Sequence, residues 1–267
     1  MSKMKAIKTF RDLLAFLTII PLGKTDDFVV TSAEAIFLFP LVGGFIGLLG
    51  AGYFIGCKYL MVNILAFFNS FIQIPTEFLL RISLAIMTLS FLLVLTGLQH
   101  FDGLVDLGNA IGIGSLKERR AVAHAWTVTH KGALLAIFVE FLGFLGLFFL
   151  NIEFALGTII AAEIVAKLSM VTIVWLGKPT HTGLGSIFLE TAKRNRNVAA
   201  YVISILIAYP FLGFTSIWII PIGILLGVSM ERLAQSVFGG VSGDMIGATN
   251  EIGRAITLVI MAGMLII

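Results

Sequence analysis

The stretch "LLRISLAIMTLSFLLVLT", Leu79 to Thr96, contains one charge, Arg81, in its whole length. About 20 consecutive apolar residues are what an α-helix needs to cross the hydrocarbon core of a bilayer. Comparable runs recur at about 33–55, 77–98, 131–150, 154–176, 198–214, 216–232 and 246–267. They are too long and too unbroken for a transmembrane barrel, whose strands alternate over about ten residues. The chain is therefore read as all-α: a polytopic membrane helix bundle of about seven transmembrane helices, in a single domain over residues 1–267. Composition agrees, with 58% hydrophobic and 12% charged residues and a mean hydropathy of +1.05. A soluble domain is nearer half apolar and a quarter charged.

Two further segments need a reading. "MSKMKAIKTFRDLLAFLTIIP" is basic, then apolar, and has no small-residue cleavage site. Phe10, Leu13, Leu14 and Leu17 share one helical face, which predicts an amphipathic interfacial helix at the N-terminus. The stretch 59–74, "YLMVNILAFFNSFIQI", is either a continuation of the first span or an interfacial segment. Pro40 is expected to kink that span, and Gly43, Gly44 and Gly47 invite close packing. The single cysteine, Cys57, excludes an internal disulfide and a cysteine zinc cluster.

The basic residues set the topology. Lys3, Lys5, Lys8, Arg11 and Lys24 precede the first span, and Lys117, Arg119, Arg120 and Lys131 lie between the second and third. Lys178, Lys193, Arg194 and Arg196 lie between the fourth and fifth, and Arg232 follows the sixth. Positive charge marks the cytoplasmic side. The pattern predicts an N-terminus inside and a C-terminus outside. The long connections at 99–130, 177–197 and 233–245 then face the cytoplasm, where function is expected. The net charge of +3 reports this topology and does not point to a nucleic-acid partner. No internal repeat is evident, which weighs against an inverted-repeat transporter.

Directly after the second span comes "GLQHFDGLVDLGNAIG", Gly97 to Gly112. Asp102 and Asp106 are spaced i, i+4, so a helix presents both carboxylates on one face, with Asn109 at i+7. Adjacent carboxylates repel, and exposure to lipid is costly. They are tolerable facing water, as ordinary loop aspartates, or around a divalent cation. Hard oxygen ligands suit Mg²⁺ or Mn²⁺, which commonly grip phosphate oxygens. A second acidic group, Asp244 and Glu251 at i, i+7, lies in "FGGVSGDMIGATNEIGRAI". Gly243 and Gly247 there form a GxxxG spacing that also reads as a packing seam. His100 is open to three roles: general base, metal ligand or cap.

Phosphate needs cationic partners. "SLKERRAVAHAWTVTHKG" supplies Lys117, Arg119, Arg120, His124, His130 and Lys131, and Arg120, His124 and Lys131 are placed on roughly one helix face. "GKPTHTGLGSIF" adds Lys178, His181, Gly183 and Gly185, where a glycine-rich loop can cradle phosphate through backbone N–H groups. Glu163 and Lys167, at i, i+4, are expected to pair within the fourth span, whereas Glu140 in the third has no partner in sequence.

Together these motifs resemble the cobalamin-5′-phosphate synthase family, also called adenosylcobinamide-GDP ribazoletransferase. The resemblance rests on "FPLVGGFIGLL", "HFDGLVDLGNAIG", "KERR", "HKGAL", "KPTHTGLGSIF" and "GGVSGDMIGATNE", in the family's order over nearly the whole chain. Two departures stand out: Asn109 replaces a third aspartate, and Thr180 and His181 precede the glycine-rich loop. The resemblance implies a transferase of the prokaryotic cell (inner) membrane, active on its cytoplasmic face. It would join adenosylcobinamide-GDP to α-ribazole or its 5′-phosphate with release of GMP, late in cobalamin biosynthesis. Mg²⁺, or Mn²⁺ in its place, would be held by Asp102, Asp106 and Asp244 with Asn109 or Glu251. Arg120, Lys131 and Lys178, with Gly183 and Gly185, would bind phosphate, and His100 or a carboxylate would take the ribose hydroxyl proton. A homo-oligomer is left open.

Two rival readings are kept. A CDP-alcohol phosphotransferase shares the chemistry, but its signature needs "AR" shortly after "DG", where this chain has "LGN" after "DGLVD". A cation-coupled transporter would use Asp102, Glu140, Glu163 and Lys167 near the midplane, whereas the aspartates here gather at one membrane end.

Overall fold

The computed structural model describes residues 3–123, 125, 127–192 and 195–264. Among them the chain is helical: α1 (Lys3–Leu17), α2 (Phe28–Glu34), α3 (Phe39–Asn69), α4 (Thr76–Leu95), α5 (Gln99–Ala110), α6 (Leu116–Ala123), α7 (His130–Phe149), α8 (Ala155–Leu176), α9 (Leu184–Thr191), α10 (Val198–Leu212), α11 (Ile219–Phe238) and α12 (Gly243–Met264). Among the described residues the single β-type contact is an isolated parallel bridge between Pro179 and Val241.

Helix α8 is apolar on every side apart from Glu163 and Lys167, and a helix of that kind belongs inside. It is buried along nearly its whole length, with α3, α10, α11 and α12 packed on it. The expected close packing of the α3 glycines is seen there: a side chain at Gly47 would come within 2.6 Å of the Ile160 backbone. Helices α4 and α7 lie outside this centre, and α7 turns Leu134, Ile137, Phe138 and Phe141 outward. Large apolar side chains in a continuous exposed band fit hydrocarbon, not water.

By length and apolarity, five helical stretches can cross a bilayer: Ile36–Asn69, Thr76–Leu95, His130–Phe149, Ile152–Leu176 and Asn195–Phe238. The last stretch contains both α10 and α11, broken at Gly213, whose φ of 55° reverses the backbone hand. Helix α12 carries Asp244 and Glu251 in its first half and Arg254 just past its midpoint, and is not among the five. Several helices long and apolar enough to span a bilayer are therefore present, and these five stretches do not by themselves fix the count at seven.

One open alternative is settled and two sequence expectations change. Residues 59–69 continue the first long helix, α3, instead of forming an interfacial segment. Pro40 does not kink a helix. It lies in the first turn of α3, where its missing N–H costs nothing, and the chain before it is a separate short helix and a 3-10 turn. The apolar face of α1 is turned into the protein: Leu13, Leu14 and Leu17 are buried, and Phe10 meets Phe45 edge-on.

Helix α4 ends where Gly97 and Leu98 both take positive φ, 68° and 58°. A leucine in that region is uncommon and costs energy. The turn redirects the chain so that α5 does not continue the line of the span. It starts at Gln99 and lies against α12 and α7.

Candidate active site

Helices α5 and α12 approach each other at Gly103, where any side chain would run into the Asp244 carbonyl. Gly247 completes the seam, facing the His100 backbone. The GxxxG reading as a packing device thus holds at Gly247. The seam also sets the first acidic turn of α5 against the first turn of α12. Asp102, Asp106 and Asp244 consequently line one cavity of about 360 Å³, together with Gln99, Val105 and Thr127.

The electrostatics follow from this convergence. Asp106 is pushed up to about 7, first by its burial, then by the negative charges of Asp244 and Asp102. Asp244 accepts a hydrogen bond from Ser242 Oγ at 3.3 Å, and the same oxygen accepts from the Met245 N–H at 3.3 Å, closing the first turn of α12. The three carboxylates share the cavity without closing on one point. Among the described residues no group of three His, Cys, Asp or Glu side chains is drawn into a cluster. Carboxylate oxygens gathered on one cavity are nonetheless the hard donor set a small divalent cation prefers. The residues at the cavity fit such an ion.

Two expected ligands are occupied elsewhere. The Asn109 Oδ1 accepts from the Thr129 N–H at 2.9 Å and the Thr129 hydroxyl at 2.7 Å, and its amide donates to the Thr127 carbonyl at 2.7 Å. It clamps the segment that caps α7, whose N-cap is Thr129. Glu251 is buried against Arg254 and accepts from Asn250 Nδ2 at 2.9 Å. The i, i+7 spacing from Asp244 measures helix register, while the depth of Glu251 takes it into the bundle.

The basic residues divide likewise. Arg120 lies in α6 and Lys131 in α7, so they do not share a helix; His124, Lys193 and Arg194 lie outside the described residues. Arg120 donates twice to the Phe238 carbonyl, at 3.1 and 2.7 Å, and Arg119 reaches the Ser236 and Val237 carbonyls. Both cap the C-terminus of α11, where exposed carbonyls and the helix dipole favour cations. Lys131 is exposed, with its ammonium 3.3 Å from the Ile111 carbonyl.

The loop after α8 is brought to the start of α12. The Val241 N–H donates to the Lys178 carbonyl at 2.7 Å, and the Thr180 N–H donates to the Val241 carbonyl at 3.2 Å. Lys178 itself is exposed. Gly185 sits against the Ser242–Gly243 peptide, where a side chain would approach Gly243 N to 2.6 Å. Ser186 holds Gly183, accepting from its N–H at 3.1 Å and donating to its carbonyl at 2.9 Å. The glycine-rich loop and the "GGVSGD" segment are therefore neighbours.

A second cavity, of about 260 Å³, adjoins the first, and Gln99 and Asp244 line both. Its far wall is aromatic: Phe16 of α1, Phe39 of α3 and Phe188 of α9. The Phe16 and Phe188 rings are stacked at 5.1 Å between centroids. His100 lines this second cavity, with Gly185 opposite in the same lining. Burial first, then the positive charges of Lys167 and Arg254, hold the His100 imidazole well below its ordinary range, so it is neutral. Neither Gln99 nor the aromatic wall was legible as site residues. Gln99 lies within the polar stretch that drew attention, but the phenylalanines come from three distant helices and look like ordinary core.

Beneath the cavities lies a buried ion cluster. Lys167 Nζ is 3.0 Å from Glu163 and 2.7 Å from Asn250 Oδ1. Arg254 pairs with Glu251, reaches Glu163 at 3.5 Å and lies 3.8 Å from Glu140. The expected Glu163–Lys167 pair is present, and Glu140 has its partner on α12. Arg254, missed in sequence, carried one signal: it stands i+3 from Glu251 in an otherwise apolar run.

Comparison with known proteins completes the picture. Residues 9–262 match the family model described as cobalamin-5-phosphate synthase. An adenosylcobinamide-GDP ribazoletransferase of Methanocella arvoryzae is 30% identical over 96% of this chain and 95% of its own. One from Clostridium novyi is 30% identical over 91% and 92%, and one from Methanosarcina mazei 28% over 95% and 91%. No solved structure matches the chain significantly. The match covers both acidic turns, the glycine-rich loop set against the start of α12 and the helices that seat them, and the chain belongs to the cobalamin-5-phosphate synthase family.

Proposed function

We propose that the protein is an adenosylcobinamide-GDP ribazoletransferase, a membrane transferase that joins adenosylcobinamide-GDP to α-ribazole or its 5′-phosphate and releases GMP. One observation carries the chemistry: three carboxylates from two helices on a single cavity, beside a glycine-rich loop. The ribose 3′-hydroxyl oxygen forms a bond to the phosphorus attached to the cobinamide arm. The bond from that phosphorus to the GMP oxygen breaks, GMP leaves, and the hydroxyl proton passes to a carboxylate of the cavity.

Asp102, Asp106 and Asp244 would hold Mg²⁺, or Mn²⁺, which when bound neutralises diphosphate charge. Lys131 and Lys178, both exposed, supply further positive charge for the phosphates. The long connections that build the site carry the excess of basic residues. They are assigned to the cytoplasmic face of the prokaryotic cell membrane, with the N-terminus inside.

The test uses detergent-purified protein with adenosylcobinamide-GDP, α-ribazole 5′-phosphate and Mg²⁺. GMP release matched by a cobamide product, and abolished by EDTA, is the expected result. Release that persists in EDTA would remove the metal from the reading. No release from folded protein would overturn the reaction.

A further inference from the structure

We propose that the aromatic cavity behind Asp244 binds the flat heteroaromatic base of the acceptor nucleoside, with His100 as the hydrogen-bond donor that recognises it. This rests on the proposed transferase reaction and assigns a part of the site which that reading leaves without a role.

The cavity's size and lining select the ligand. At about 260 Å³ it falls below the range that houses a drug-sized molecule. It takes a ring system, not a whole nucleotide. Phe16, Phe39, Phe188, Leu184 and Met170 line it, and flat rings gain from aromatic neighbours at such spacings. Apart from Gln99 and Asp244, which it shares with the acidic cavity, His100 is its one lining residue with a polar side chain. His100 is 6% exposed, and its Nε2 has no hydrogen-bond partner within the protein. A buried polar atom left unpaired is costly, so a turn of the imidazole that brings Nε2 to a ligand atom in the cavity is favoured.

Guanine would bring several donors and acceptors on its edge, and most would go unmatched here. The base of ribazole is a benzimidazole. Its outer edge is apolar, and it has one ring nitrogen not bonded to the ribose, a single acceptor for a single donor. A site built to pair one group rejects analogues that lack it. The placement also orients the sugar. With the base behind, the ribose crosses the wall formed by Gln99 and Asp244, and its hydroxyl enters the acidic cavity.

The experiment pairs calorimetric binding of α-ribazole to the whole detergent-solubilised protein with steady-state kinetics. Phe188→Ala should weaken α-ribazole binding and raise the acceptor KM about tenfold, leaving the KM for adenosylcobinamide-GDP unchanged. His100→Leu should lower kcat/KM about tenfold for α-ribazole but hardly at all for the analogue whose free ring nitrogen is replaced by CH. His100→Gln, which keeps a donor, should recover part of the loss. Three results would overturn the proposal: wild-type protein that does not bind α-ribazole, variants that shift the donor KM, or equal losses with both acceptors. Binding of α-ribazole without GMP release would sustain this pocket while removing the proposed reaction.

Discussion

Asp102, Asp106 and Asp244 line a cavity with no lysine or arginine among its described lining residues. Glu140, Glu163 and Glu251, by contrast, sit in the bundle with Lys167 and Arg254 among them. Both clusters are carboxylate-rich, and both use α12. The difference is countercharge. In the bundle each acid meets a base held by the fold, as low dielectric demands. In the cavity the described lining gathers Asp102, Asp106 and Asp244 at an opening, where Asp106 feels the negative charge of the other two. Carboxylates alone therefore do not mark a site; carboxylates gathered at an opening do.

The largest effect is expected in the buried cluster. Arg254→Leu strands Glu251 and Glu140 without their cation, while Glu163 keeps Lys167, and should cost about 3–5 kcal/mol. Thermal unfolding and size-exclusion profiles in detergent would show it. A variant that melts like wild type would break the contrast, because the cluster would then not be a fastener.

Next come the cavity aspartates. Asp244→Asn and Asp102→Asn should lower turnover by about 10²–10³-fold, the scale of losing one electrostatic contact to the transferring group. The melting temperature of Asp102→Asn should equal or exceed wild type, since a charge that repels Asp106 is gone. Loss of folding together with activity would place these residues with the buried cluster.

Asn109→Ala sharpens the boundary between the two. It leaves the Thr129 N–H and the Thr127 carbonyl without partners, at a cost of about 1–3 kcal/mol. Stability should fall more than Mg²⁺ affinity, measured by titration calorimetry. The reverse outcome would return Asn109 to the metal.

The smallest effect is a pH slope. Asp106 is raised from an ordinary 3.8 to about 7, so the folded state holds its proton more tightly than the unfolded state does. Its contribution is fully present below about 3.8 and is lost as pH rises through about 7. Cation-free protein should thus lose stability across that window, and Mg²⁺ added at higher pH should restore it. Asp106→Asn should flatten the slope. A flat wild-type profile would mean the cavity is more solvated than its lining implies.

Much of this molecule was legible in its sequence because hydrocarbon is a simple solvent. Long apolar runs must be helices, since no water is available to satisfy the backbone, and their centres could be placed closely. The i, i+4 spacing of Asp102 and Asp106 and the Glu163–Lys167 pair were equally legible, because helix geometry is local. Tertiary structure decided what periodicity does not encode. Glu251 and Asp244 share a helix face, yet one is buried on Arg254 and the other borders the cavity, because depth along the helix axis depends on what packs alongside. Asn109 shares the register of the two aspartates but is claimed by the chain entering α7. Arg120 is claimed by the end of α11, over a hundred residues away in sequence. The joining of Phe16, Phe39 and Phe188 into one wall belongs to the same class. Each of these depends on which distant group arrives at hydrogen-bonding or van der Waals distance, and only the folded chain settles that.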